Sequence, residues 1–305
     1  MNTNKNILAY IALAAVCVLW GTTFLAQRVG VMEFPPLLFC SIRFLISGAI
    51  LISIMLMLGK KIAVKALFSQ AVGGLLMITL GVSMVCRAEV HVSSGLAAVI
   101  CSMIPIWTII INLFANKDER PTPLIVFGLL LCVSGVVLIF GEHLDEFYKS
   151  EYTNSIITIF FANVCWAFGT VWVKKRNSNT DPIVNAGVQM FFGGIFLVPL
   201  SFVLDDYTLI QWTHEIVSAL LYLIFIGSVL GYACYFYAIE KLPITIVSLH
   251  AYVNPVIAVV LGGLLLNEKM NAKIFGAIAI ILLGIYIVNK GYQLKSNWKT
   301  IFSKS

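Results

Sequence analysis

Over 305 residues the chain is 60% hydrophobic and 11% charged, with a mean hydropathy of +0.96. A soluble domain averages ~25% charged residues and cannot hide this much apolar surface, so lipid must cover it. The net charge of +6 lies in loops and ends and is a topology signal, which removes nucleic acid as a partner.

In chain order the apolar segments are 7–27, 35–58, 68–86, 92–115, 121–141, 154–173, 183–204, 216–239, 244–266 and 272–290. Most are about 20 residues long, enough to cross ~30 Å of hydrocarbon at 1.5 Å per residue. Helices satisfy their own backbone hydrogen bonds in lipid, and the ~10-residue alternating strands of a barrel are absent. The sequence therefore predicts an all-α integral membrane protein with ten transmembrane helices. Residues 7–27 exceed the about 7–15 apolar residues of a signal-peptide core and read as an uncleaved first span.

Lysine and arginine set the orientation. With the N-terminus in the cytoplasm, fourteen fall on the inner side, among them Lys60, Lys61, Lys65, Lys174, Lys175 and Arg176, and five on the outer side. That asymmetry predicts a cell-membrane protein with both termini cytoplasmic. Arg43 alone falls deep inside a span.

The two halves share their punctuation. Trp20, Pro36 and Gly48 recur as Trp166, Pro182 and Gly194, and Gly81, Ala88 and Pro105 recur as Gly231, Ala238 and Pro255. Each half holds five spans, and five is odd, so the second copy must be inverted. The expected organisation is residues 1–150 as one five-helix repeat, 151–290 as the other, and 291–305 as a basic cytoplasmic tail. Two inverted repeats are the plan of a secondary transporter, with the substrate site between the copies. Loops are short, the longest being the acidic 142–153. None has room for a nucleotide-binding domain, and no Walker-type loop occurs, so ATP does not drive this chain.

The seven cysteines lie within or at the ends of spans, without metal-ligand or redox spacing, and the four histidines are scattered. No metal site, cofactor or catalytic residue is expected. The polar residues inside the spans are then the candidates for function. Trp20, Thr23 and Gln27 share one face of the first span, and Asn163, Trp166 and Thr170 repeat that spacing in the sixth. Thr79, Ser83 and Arg87 align in the third span, Ser228, Tyr232 and Tyr235 in the eighth, and His250 precedes Asn254 by one turn in the ninth. A substrate cavity contacted by Trp20, Thr23, Ser83, Trp166, Tyr235, His250 and Asn254 is the functional reading; packing between helices is the bland one. Pro105 and Pro255, at matching places, read as hinges. Arg43 lacks an acid at its depth, since Glu33 and Glu89 fall toward the outer face; carbonyls, an outer glutamate or a substrate carboxylate are its possible partners. With no buried carboxylate in sight, His250 is the one group in the spans suited to carry a proton.

Several stretches resemble the EamA-like permeases of the drug/metabolite transporter superfamily. They are WGTTFLAQRV (20–29), IRFLISGAILI (42–52), IPIWTIIINLFANKDERPTPLIVFGLLLCVSGVVLI (104–139) and NPVIAVVLGGLLLNEKMNAKIFGAIAIILLGIYIV (254–288). Glu119 with Gly135, and Glu268 with Gly284, stand at the family's glutamate-then-glycine marks. The resemblance covers nearly the whole chain. It implies a bacterial inner-membrane carrier of two five-helix repeats, usually an exporter of amino acids or related metabolites. It also implies a cavity formed by spans 1, 3, 4, 6, 8 and 9. Asn267 replaces the usual Gly before the second glutamate, and the first repeat has an extra residue after Glu119. The first span lacks the glutamate of the small multidrug-resistance proteins, which argues against a multidrug role.

The expected function is therefore export of a small neutral or zwitterionic metabolite by alternating access, by a monomer or homodimer in the lipid bilayer. The alternatives are an uptake carrier or facilitator and, from another class, a membrane-embedded enzyme of lipid metabolism. The enzyme would need carboxylates or histidines clustered at one membrane face; here the outer acids are spread over loops. A structural or sensory membrane protein is a third option.

Overall fold

The protein is seen in a computed structural model that describes residues 3–92, 94–115, 121–140, 152–176, 180–265 and 272–302. All regular structure among the described residues is helical. The helices are α1 (Thr3–Val31), α2 (Pro36–Met57), α3 (Val64–Ala88), α4 (Ser94–Cys101), α5 (Ile104–Ala115) and α6 (Pro123–Phe140), followed by α7 (Thr153–Lys175), α8 (Pro182–Leu204), α9 (His214–Lys241), α10 (Ile244–Ser248), α11 (His250–Leu265) and α12 (Ala272–Phe302). Among the described residues eight helices are long and apolar enough to cross a membrane, counting Leu96–Ala115 (α4 with α5) as one, and two shorter apolar helices cover Pro123–Leu138 and Ile244–Ile257. The acidic connection, the family's glutamates at 119 and 268, Asn267 and the last residues of the tail lie outside the described residues.

Large apolar side chains are exposed along the outside of the bundle: Ile7, Ile11 and Leu25 on α1, Phe127 and Leu130 on α6, Phe202 and Val203 on α8, Leu282 and Tyr286 on α12. Water would not tolerate a continuous apolar surface of this extent, and a multi-pass membrane protein places it against lipid.

In lipid the hydrophobic effect does not drive helices together, so close packing through small residues has to. Helices α2 and α8 run antiparallel against each other, and so do α6 and α12. A Cβ added at Gly48 would lie 2.5 Å from the Phe191 nitrogen, and one at Gly194 would lie 2.8 Å from the Leu45 nitrogen. On the other pair, Gly135 meets the Ala277 carbonyl and Ile281, while Gly284 meets the Gly128 carbonyl and Cys132.

Both ends of the α2/α8 pair are fastened across the seam. Pro36 opens α2, where the missing N–H costs nothing. The Asp205 carboxylate, just past α8, accepts from the Leu38 nitrogen at 2.8 Å and the Leu37 nitrogen at 3.4 Å. At the other end α2 stops on Gly59, whose φ of +77° only glycine adopts cheaply. The Gly59 and Lys60 nitrogens then donate back to the carbonyls of Leu56 and Met55. Lys60 reaches Asp181 at 3.0 Å, and Asp181 caps α8 by accepting from the Ile183 nitrogen at 3.0 Å.

Two departures from plain α-helix matter for function. Residues Gly74–Val82 of α3 and Leu223–Leu230 of α9 are π-helical. The fourth and ninth apolar segments are each broken in two, at Ser102–Met103 and at Leu249. Pro105 thus sits in the first turn of α5, just after its break, rather than midway along an unbroken helix over 92–115. Pro255 lies inside α11.

Candidate functional site

A cavity of about 90 Å³ lies among α1, α2, α3, α4, α5, α7, α9 and α11. About 10–15 Å³ of such space holds one water, so it has room for several waters or one small solute. Of the residues predicted to contact substrate, Trp20, Thr23, Trp166, His250 and Asn254 line it, together with Gln27, Arg43, Asn163 and Tyr232.

Trp20 is the centre of the wall. Its ring lies 5.6 Å from Trp166, 5.4 Å from Tyr232, 5.0 Å from Tyr235 and 5.0 Å from His250, centroid to centroid. Its indole N–H donates to the Gly227 carbonyl at 3.0 Å. Gly227 lies in the π-helical part of α9, where the altered register changes the carbonyl pattern of the helix. Thr23 sits one turn on and donates to the Trp20 carbonyl at 2.8 Å.

The helix breaks explain the placement of two polar lining residues. A buried carbonyl at an interrupted helix must find a donor. Asn163 Nδ2 donates to the Ile100 carbonyl at 2.7 Å, beside the break between α4 and α5. His250 Nδ1 stands 2.8 Å from the Val247 carbonyl, beside the break between α10 and α11. A carbonyl can only accept, so Nδ1 carries the hydrogen and a neutral His250 keeps Nε2 as an acceptor. The Asn254 amide satisfies its surroundings with its NH2 toward the carbonyls of Cys17 (3.2 Å) and His250 (2.9 Å), which leaves Oδ1 as an acceptor. One end of the cavity therefore offers aromatic faces and neutral acceptors.

The other end is cationic. Arg43 is buried on α2; its Nε donates to Ser228 Oγ at 2.8 Å and its Nη1 to Gln27 Oε1 at 3.2 Å. Gln27 Nε2 in turn donates to Glu89 Oε2 at 2.8 Å. Nη2 has no hydrogen-bond partner among the described residues, and Arg43 borders the cavity. The expectation that no buried carboxylate exists is corrected here: Glu89 is 0% exposed. It falls in the connection after α3, where a solvated acid is the ordinary outcome, but Arg28 ties that connection to α1 by donating to the carbonyls of Glu89 and Val92. Burial pushes the Glu89 carboxyl up to about 8, against the lowering pull of the Gln27 amide and of Arg28 and Arg43.

Two predicted contacts fall outside the lining. Tyr235 packs beneath Trp20 and Trp166, with its hydroxyl 2.9 Å from Thr170 Oγ1. Ser83 is buried and spends its hydroxyl on the Thr79 carbonyl. Tyr232 lines the cavity with a buried hydroxyl that has no hydrogen-bond partner among the described residues. Among the described residues no group of three or more His, Cys, Asp or Glu is placed to hold a metal ion.

The EamA-like transporter family model matches residues 7–141 and again 153–290. The chain is 29% identical over 287 residues to the uncharacterized inner membrane transporter YedA of Escherichia coli, covering 93% of this chain and 91% of that one. It is 27% identical to the uncharacterized transporter YvbV of Bacillus subtilis, covering 91% and 90%. A solved crystal structure matches with a TM-score of 0.74 at 18% identity, over 94% of this chain and 98% of the other, a likeness of fold.

Proposed function

The chain belongs to the EamA-like transporter family, and we propose that it is a secondary carrier that exports a small neutral or zwitterionic metabolite, such as an amino acid, by alternating access. The observation that carries this reading is the polarity of the cavity. Arg43 is a fixed cation with a donor to spare at one end, matched to a carboxylate. The other end, with Trp20, Trp166, Asn163, His250 and Asn254, offers π faces and neutral acceptors to an ammonium group.

We read the bundle as ten spans, the eight long helices and the two shorter apolar ones, arranged as two inverted five-helix repeats. Reciprocal contacts support the inversion. Gly48 approaches Phe191 as Gly194 approaches Leu45, and each pair becomes the other when the halves exchange places at an offset of 146. Gly231 packs on Trp20 as Gly81 packs on Trp166. Gly135 meets residues 277 and 281 as Gly284 meets 128 and 132. Such exchange is what a two-fold axis lying between α2 and α8, and between α6 and α12, produces. The π-helical stretches and the helix breaks also recur in both halves, and they are the places where one half could rock on the other, with Pro105 just after one break and Pro255 inside the helix that follows the other.

Counterflow in proteoliposomes with a labelled amino-acid panel tests the carrier reading, and flux in oriented vesicles separates export from uptake. At least one panel member should exchange, and Asn254→Ala should lower that exchange about tenfold or more while the protein stays monodisperse. A folded protein that moves no solute ends the proposal. For the orientation, a membrane-impermeant thiol reagent added outside cells should label a cysteine placed within 143–150 and miss one within 293–303. The reverse pattern would invert the topology.

A further inference from the structure

We propose that Glu89 is a protonation site that licenses Arg43 to take the substrate's carboxylate, so that a carboxylate and a proton occupy the protein together. This rests on the carrier reading but not on its direction, since a proton moving with the solute favours uptake, the other direction the same carrier can take.

The chain Arg43–Gln27–Glu89 has only one polarity. A guanidinium donates and never accepts, so the Gln27 carbonyl must face Arg43 and its NH2 must face Glu89 Oε2. With Glu89 ionised, the aligned amide joins a buried cation to a buried anion and the group is neutral. A substrate carboxylate placed on Arg43 would leave one uncompensated negative charge in a low-dielectric site, which is costly. A proton on Glu89 removes that cost. Oε1 is the oxygen that takes it, because Oε2 is held by Gln27, while Oε1 is buried with no hydrogen-bond partner among the described residues.

The surroundings leave Glu89 as the group that changes charge. From α1 it faces Gln27 and Arg28, from α2 Arg43 with Cys40 beyond it, from the end of α3 Cys86, and from α4 Cys101. Helix α7, also packed on the end of α3, carries basic residues only in its last turn, Lys174 and Lys175. The ammonium of a zwitterion does not substitute for the proton. The acceptor end of the cavity touches α1 at Cys17 and Trp20, and Glu89 touches it at Gln27, roughly 10–15 Å apart by helical rise. Coupled this way, a proton gradient drives inward flow, and outward flow is driven by the solute's own gradient.

The test uses the full-length protein in proteoliposomes, wild type beside Glu89→Gln, with labelled L-alanine, L-methionine and L-phenylalanine as probes across a pH series. In wild type the half-saturation concentration should rise about tenfold per pH unit once Glu89 is ionised, by one-proton linkage. In Glu89→Gln it should be flat with pH, with exchange retained and accumulation against a gradient lost. Exchange in wild type with the same pH response in Glu89→Gln overturns this proposal and leaves the carrier reading standing. No exchange of any probe in wild type overturns both. If Glu89→Gln does not fold, Glu89→Met, a side chain of similar length that cannot ionise, replaces it. A full wild-type pH response in that variant is then the overturning result.

Discussion

Replacing Trp20 with alanine should abolish transport and lower the melting temperature of the protein together. Four aromatic partners meet at this one ring, and its N–H satisfies the Gly227 carbonyl. Truncating a buried tryptophan costs about 3–5 kcal/mol, from lost burial and the void left behind. Each aromatic pair adds roughly 0.5–1.5 kcal/mol beyond area. The void would also merge with the cavity, so the wall that positions a solute is lost with the stability. Trp20→Phe separates the two effects. It keeps most of the ring but leaves the Gly227 carbonyl without its donor, a cost of about 1–3 kcal/mol for an unsatisfied buried group. The expected result is a smaller fall in melting temperature and partial exchange in counterflow. Equal exchange in wild type and Trp20→Ala would mean that this aromatic cluster is core alone and the cavity is not the solute's path.

The class of protein was legible because composition leaves lipid as the only cover for such a surface, and the structure adds eight long apolar helices. Within the site, most residues read onto shared faces of the regular helices α1 and α7 reach the cavity, while Thr170 meets the Tyr235 hydroxyl instead. Trp20, Thr23 and Gln27 on α1 and Asn163 and Trp166 on α7 all reach the cavity. The same reading fails for Ser83, which follows nine π-helical residues. Its companion on that face, Thr79, donates to the Gly193 carbonyl of α8 at 3.0 Å, so the face packs on a neighbouring helix, and spacing alone does not say which neighbour a face meets. The prolines are informative about the segment and not about the position. They mark the broken segments but not the breaks, which fall at Ser102–Met103 and Leu249, residues with no signature of their own.

Glu89 was foreseen as an outer glutamate within Arg43's reach but not as a buried one, for a different reason. Periodicity reports the direction of a side chain about its own axis and says nothing of what a neighbouring helix brings against the end of that axis. Contacts from Gln27 and Arg28, more than sixty residues earlier, hold the carboxylate and its backbone against α1. The isolated Arg43 was the usable clue: a buried cation without an acid at its own depth implies a relay to one farther off, and Gln27 on the shared face of α1 was the available amide.

Gly48→Ala should lower the melting temperature of the detergent-solubilised protein by more than any other single-methyl addition on α2, although it adds one carbon to a helix. The added Cβ would stand 2.5 Å from the Phe191 nitrogen, 2.8 Å from its Cα and 2.9 Å from the Gly187 carbonyl. These are backbone atoms of α8, so no side chain can rotate aside, and the helices must separate along the seam. Overpacking of this kind costs about 1–3 kcal/mol, and here it also weakens every contact made by close approach of α2 and α8. Helix propensity works in the opposite direction, favouring Ala over Gly by about 1 kcal/mol. Gly276→Ala on α12 isolates that term, since nothing lies within 4 Å of its added Cβ, and it should leave the melting temperature equal or raised. The same chemical change thus carries opposite signs at two helical glycines, with the seam as the difference. If both variants melt alike, the close approach of α2 and α8 does not hold the bundle together. The two-fold axis proposed between them would then lose its mechanical meaning.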